Sequence, residues 1–227
     1  MMAHALHSWE LDPAGARAVQ RRLAARLRLE VPGDLRLNSL CGADVSSARN
    51  DQRVYAVAVV LSYPELTVEE VAAAVGPAAF PYVPGLLSFR EGPPLLEALG
   101  RLSAPPDVIL FDGQGLAHPR GLGIASHLGL WLERPAIGVA KKPLVGAYIP
   151  PGPEPGEASP LIHQERQVGV VLRTKRGVKP VFVSPGHRMD FDTATRITLS
   201  CCRGYRLPEP TRRAHLLSNR LRRGENI

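Results

Sequence analysis

The chain has 227 residues, 44% of them hydrophobic, and a formal net charge of +7. That apolar content supports a substantial core and excludes wholesale disorder, while the positive balance suits a polyanion, nucleic acid before anionic membrane. The three cysteines, Cys41, Cys201 and Cys202, form neither a disulfide framework nor a zinc spacing, and no run reaches the roughly 20 apolar residues of a membrane span or resembles a signal peptide, so a reduced, cytoplasmic setting is expected.

The first element is a basic helix over about 12–30. Asp12 caps it, Pro13 fits its first turn, and Val19, Leu23 and Leu27 share a face from which Arg17, Arg21 and Arg28 point away. Those arginines suit either phosphates or plain solvation. LRLNSLCGADVSS alternates as a strand, and the β-branched run RVYAVAVVLS forms a second, ended by Pro64. The short polar ARND connection between them predicts an antiparallel hairpin. LTVEEVAAAV fits a third strand or a short helix, and periodicity leaves both open.

GPPLLEALGRL predicts a helix with Pro93 and Pro94 near its start. VILF is a buried strand closed by Asp112 and a glycine turn, GLGIASHLGLWLE a helix, and PAIGVAKKPL a short strand. Strand, helix, strand in that order predicts a parallel portion of sheet. Residues 149–160 are Pro/Gly-rich and are taken as an excursion within one domain spanning 1–227, because too few residues follow for a second domain. A strand pair around a Lys/Arg/Gly turn and two closing helices complete the chain. The expected fold is α/β: a mixed sheet led by an antiparallel hairpin, then parallel strands crossed by helices.

Three acids occupy unusual places. Asp44 lies near the end of the first strand, Glu91 at the start of the helix after PYVPG, and Asp112 at the end of VILF. In open α/β sheets, strand ends are where ligands bind. If the first and fourth strands are neighbours, Asp44 and Asp112 project near one another. Clustered carboxylates repel unless a cation lies between them, and magnesium accepts two or three carboxylates plus phosphate oxygens. Such a site can activate water against a phosphodiester without a protein nucleophile. Each acid alone also fits a helix cap or a turn. No GxSxG, HExxH or Walker A motif competes, and GQGLAHPRGLG departs from GxGxxG.

Together, GADVS, PYVPGLLSFRE, DGQGLAHPRGLGIASHLG, IGVAKKPL, GHRMD and GYRLPEPTR resemble the endonuclease V family, in its order and spacing. The resemblance implies a ribonuclease H-like fold. It also implies an enzyme that cuts deoxyinosine-containing DNA at the second phosphodiester bond 3′ to the lesion, with magnesium or with manganese as a substitute. Carried over by motif, Asp44, Glu91 and Asp112 are metal-binding acids, His215 is a further member of the site, and Lys141 lies near the scissile phosphate. Pro81, Tyr82, Val83 and Pro84 match the wedge that fills the gap left by a flipped base. Gly85, Leu87, Gly113, His118, Gly123 and Leu144 match the base pocket. Structural alternatives stand beside these roles: a core tyrosine at Tyr82, turn glycines at Gly113 and Gly123, core leucines at Leu87 and Leu144, a satisfied histidine at His118, and a solvent-facing histidine at His215. Inosine-containing single-stranded RNA is the alternative substrate, and a non-cleaving inosine-binding module the alternative class. A monomer is expected, with no membrane partner.

Overall fold

The β-branched and small residues of the first half build a long antiparallel sheet edge in the computed structural model, which describes residues 5–48 and 52–227. The helix α1 (Pro13–Ala24) precedes β1 (Ser39–Ser46), β2 (Arg53–Ser62) and β3 (Val68–Pro77). β1 pairs with β2 and β2 with β3, both antiparallel. LTVEEVAAAV is therefore the strand of its two alternatives. The Arg49–Asp51 part of the ARND connection lies outside the described residues.

The parallel portion follows: α2 (Leu87–Gly100), β4 (Val108–Phe111), α3 (Ile124–Leu132) and β5 (Ala136–Ala140). β4 pairs parallel with both β1 and β5, so the first and fourth strands are neighbours. β6 (Ala158–His163), β7 (Arg166–Leu172) and β8 (Val181–Pro185) then extend the sheet antiparallel, before α4 (Phe191–Ser200) and α5 (Glu209–Arg222). All eight strands form one sheet, ordered β3-β2-β1-β4-β5-β8-β7-β6. This is the mixed α/β architecture expected from the sequence.

Strand alternation splits the core by face. Cys41, Ala43, Ala56 and Ala58 pack with Leu95, Ala98 and Leu99 of α2 and Leu128 of α3. Leu40, Val57 and Val59 pack on the opposite side with Ile197 of α4 and Ala214 of α5. None of the described helices is long and apolar enough to cross a membrane.

Four boundaries differ from the sequence reading. α1 ends at Ala24, not near residue 30, and its buried face carries Gln20 between Ala16 and Leu23. β1 begins at Ser39, leaving Leu35 and Leu37 packed on the core from outside the strand. α2 begins at Leu87, so Pro93 and Pro94 lie inside it and Glu91 in its second turn. Two interior prolines remove hydrogen bonds to the carbonyls of Phe89 and Arg90, and burial of Pro94, Leu95, Ala98 and Leu99 offsets that loss. Finally, the end of the Pro/Gly-rich segment is already the start of β6 at Ala158.

Candidate active site

Asp44 is held near the end of β1, where the strand has two faces and little room. Gly42, two residues earlier on the same face, is closely approached by the start of α5. A Cβ at Gly42 would lie 1.9 Å from the Pro210 carbonyl oxygen, so only glycine permits this docking. The docking carries His215 and Ser218 over Asp44. His215 Nδ1 donates to Asp44 Oδ2 at 3.0 Å, and the Ser218 hydroxyl donates to the same oxygen at 2.8 Å.

Asp112 follows β4 directly, and its backbone N–H donates to the Ala43 carbonyl at 3.1 Å, continuing the parallel pairing past the strand's end. Lys141 follows β5 directly, and its ammonium donates to Asp112 Oδ2 at 2.5 Å. The Lys141 carbonyl accepts from Arg206 Nη2 at 2.6 Å, which ties this strand end to the approach of α5. His215 Nδ1 lies 3.8 Å from Asp112 Oδ2. Ligand atoms of Asp44, Asp112 and His215 all fall within 4.8 Å of one another, a group able to hold a metal ion.

Glu91 stands just outside this tight group. Burial raises its carboxyl to about 8, and the nearby charges of Asp44 and Asp112 push the same way. Burial and then Asp44 raise Asp112 as well, against the pull of Lys141 and His215. The hydrogen bond to Asp44 raises His215, against its partial burial. Three carboxyls thus share a place short of positive charge, with hard oxygen donors and one imidazole. That donor set fits a divalent cation of the magnesium or manganese type.

Beside the acids opens a cavity of about 410 Å³, lined among others by Tyr82, Val83, Pro84, Gly85, Leu87, Gly113, His118, Gly123 and Leu144. All six residues of the expected base pocket therefore border one space. Tyr82 is 73% exposed at its mouth, which rules out the core-tyrosine reading, and Phe80 is the aromatic that anchors the segment in the core. Leu144 is exposed too, rather than a core leucine. Gly123 is a close-packing glycine: a Cβ there would lie 2.2 Å from the Gln114 carbonyl oxygen.

The cavity wall turns at Gly85, where φ is +76°, a conformation that favours glycine. Its carbonyl accepts from three donors: Gln20 Nε2 of α1 at 3.0 Å, His118 Nε2 at 2.9 Å and Arg120 Nη2 at 2.7 Å. His118 Nδ1 accepts from the Arg120 backbone N–H at 3.1 Å, so both ring nitrogens already have partners. Burial lowers its pKa to about 4 and keeps the ring neutral. His118 thus supports the wall rather than presenting a free nitrogen. Gln20, Ser88, Arg206 and Ser218 escaped the sequence reading. Only Ser218 left a local trace, lying one turn beyond His215 on the same helix.

Acids and a histidine gathered at the ends of adjacent strands, beside an open cavity in a basic protein, fit a nuclease. The chain belongs to the endonuclease V family: residues 21–216 match its sequence model. Endonuclease V of Dehalococcoides mccartyi is 51% identical over 217 residues, covering 95% of this chain and 96% of that protein. The crystal structure of endonuclease V from Streptomyces avermitilis superposes with a TM-score of 0.91 at 47% identity, covering 96% of each chain. Endonuclease V of Ciona intestinalis, solved with a 24mer DNA containing an inosine followed by a ribo-adenosine, gives a TM-score of 0.81 at 28% identity, covering 93% of this chain and 98% of that one.

Proposed function

We propose that this nuclease recognises deoxyinosine in DNA and hydrolyses the second phosphodiester bond 3′ to it. The observation that carries the reading is adjacency. Asp112 belongs to the acid group while Gly113 borders the cavity, and α2 carries Leu87 on the cavity and Glu91 beside the acids. A base held in the cavity would leave its own strand's backbone at the acids. The inosine-containing DNA bound by the Ciona relative supports the choice of base.

Asp44, Asp112 and Glu91, with His215, would hold magnesium, or manganese in its place, which when bound supplies an acidified water and positive charge against the phosphate. Ser218 and His215 orient the Asp44 carboxylate by donating to one of its oxygens. The Lys141 ammonium supplies a point charge suited to developing negative oxygens. Pro81 and Pro84 stiffen the segment that presents Tyr82, so wedging the ring into a duplex costs little ordering. Leu87 and Gly113 would face the extruded base. The protein acts as a monomer in the cytoplasm, and its arginines make binding weaken as salt rises.

The test is strand cleavage of matched DNA and RNA oligonucleotides, each with one inosine, with and without magnesium. A magnesium-dependent nick at the second bond 3′ to deoxyinosine, lost in Asp112→Asn while binding persists, is expected. Cleavage of the RNA alone would move the activity to inosine-containing RNA. Binding without any nick would leave a recognition module.

A further inference from the structure

Ser88, in the first turn of α2, also borders the cavity and is 2% exposed. It begins a hydrogen-bonded chain that leads away from the site. The Ser88 hydroxyl is 2.9 Å from His127 Nδ1, and His127 Nε2 is 2.7 Å from His7 Nε2. His7 Nδ1 in turn lies 2.6 Å from the Ser8 carbonyl oxygen. The rings of Trp9, Phe89 and Trp131 pack around the two imidazoles.

The proton order along this chain follows from its far end. A carbonyl only accepts, so His7 Nδ1 carries the hydrogen. Burial, with Arg22 nearby, keeps His7 below its ordinary pKa and neutral, which leaves His7 Nε2 as a lone pair. His127 Nε2 must then be the N–H. His127 is fully buried, and that burial holds its pKa at about 3, so it too is neutral. Its Nδ1 is a lone pair, and the Ser88 hydroxyl must donate to it. A serine oxygen keeps two lone pairs after giving its proton away.

We propose that Ser88 is a specificity-determining residue of the base cavity: with its proton committed to His127, it offers the bound base an acceptor. Such an acceptor favours a ring N–H and disfavours a bare ring nitrogen. Adenine presents a bare N1, whereas hypoxanthine, its deamination product, carries N1–H. Cytosine and uracil differ in the same way at N3. Ser88 would thus read the deamination event rather than base size, while His127 and His7 act as positioning residues that fix its polarity. The inference rests on the deoxyinosine reading.

Two measurements test it on the full-length protein. Nitrogen-15 NMR reads the His127 tautomer directly: protonation at Nε2 is expected near neutral pH, and protonation at Nδ1 would overturn the relay. Metal-free binding is then compared for duplexes carrying inosine or nebularine, a purine with a bare N1 and no exocyclic group. Ser88→Ala should weaken inosine binding by about tenfold, the worth of one hydrogen bond, and leave nebularine unchanged or bound more tightly. His7→Phe, which removes the acceptor of the His127 Nε2–H, should narrow the same preference. Equal weakening of both duplexes by Ser88→Ala, or of neither, overturns the role. Wild-type protein that does not prefer inosine over adenine overturns the functional reading itself, before Ser88 is touched.

Discussion

Gly42→Ala places a single methyl group where the structure has none to spare. The new Cβ would lie 1.9 Å from the Pro210 carbonyl oxygen and 2.2 Å from its carbon, both of them backbone atoms. Real Cβ atoms essentially never come within 3.0 Å of such atoms, so the start of α5 must retreat by 3.0 − 1.9, at least 1.1 Å. His215 and Ser218 ride on that helix and meet Asp44 at 3.0 and 2.8 Å, distances a shift of this size breaks. A misplacement of about 1 Å costs on the order of 100-fold in rate, and overpacking costs about 1–3 kcal/mol of stability. The cavity is lined by α1, α2, α3, the segment from Tyr82 to Gly85 and the loops around Gly113, His118 and Pro143, none of them on α5. The assay is single-turnover cleavage of an inosine duplex beside metal-free binding of the same duplex. Cleavage should fall about 100-fold with binding within about twofold. Wild-type cleavage by a folded Gly42→Ala protein would refute the claim that α5 docking aligns the site.

Tyr82→Ala should leave the melting temperature nearly unchanged, since the ring is exposed, while inosine-duplex cleavage falls at least tenfold and single-stranded substrate is spared; a large loss of stability instead would count against the wedge. Glu91 gives a pH signature in metal-free protein. Its folded pKa of about 8 lies above its ordinary value of 4.5, so its stabilisation is full below pH 4.5 and is lost as pH rises towards 8. Thermal melts across that range in chelator should show the decline, magnesium should reverse it, and Glu91→Gln should flatten it; an equally steep curve in the variant would assign the decline elsewhere. His127 works in the opposite direction. Its folded pKa of about 3 lies below the ordinary 6.5, so stability falls as pH drops from 6.5 towards 3, by about 1.4 kcal/mol per pH unit once the unfolded histidine is protonated. Urea titrations at pH 6.5 and 5 check this, with His127→Gln expected to reduce the difference.

The parts of the site that lie at strand ends were legible from local pattern. VILF followed by Asp112 marks a buried strand running into an acid, and the alternation of LRLNSLCGADVSS locates Asp44. The cavity is lined by glycine-rich segments whose positions the family resemblance supplies. Glu91 lies deeper in its helix than local pattern implies: Pro93 and Pro94 read as first-turn residues, whereas packing of the α2 face against β2 and β3 carries the helix through them. What stayed hidden is long-range. Ser218 meets Asp44 across 174 residues, His7 meets His127 across 120, and Gln20 meets Gly85 across 65. No local periodicity encodes such pairs. A buried glutamine on a helix otherwise lined by Ala16 and Leu23 becomes intelligible only once the Gly85 carbonyl is seen to need its donor.

That carbonyl has a mechanical consequence. Gln20 also donates to the Leu122 carbonyl at 3.1 Å and accepts from Arg120 Nε at 2.5 Å, so one side chain pins α1 to two walls of the cavity at once. Lifting α1 away would take one of three donors from the Gly85 carbonyl and the acceptor from Arg120 Nε together. The N-terminal helix and the segment bearing Tyr82 are thereby mechanically coupled, and amide exchange in α1 is expected to report loosening of the cavity wall.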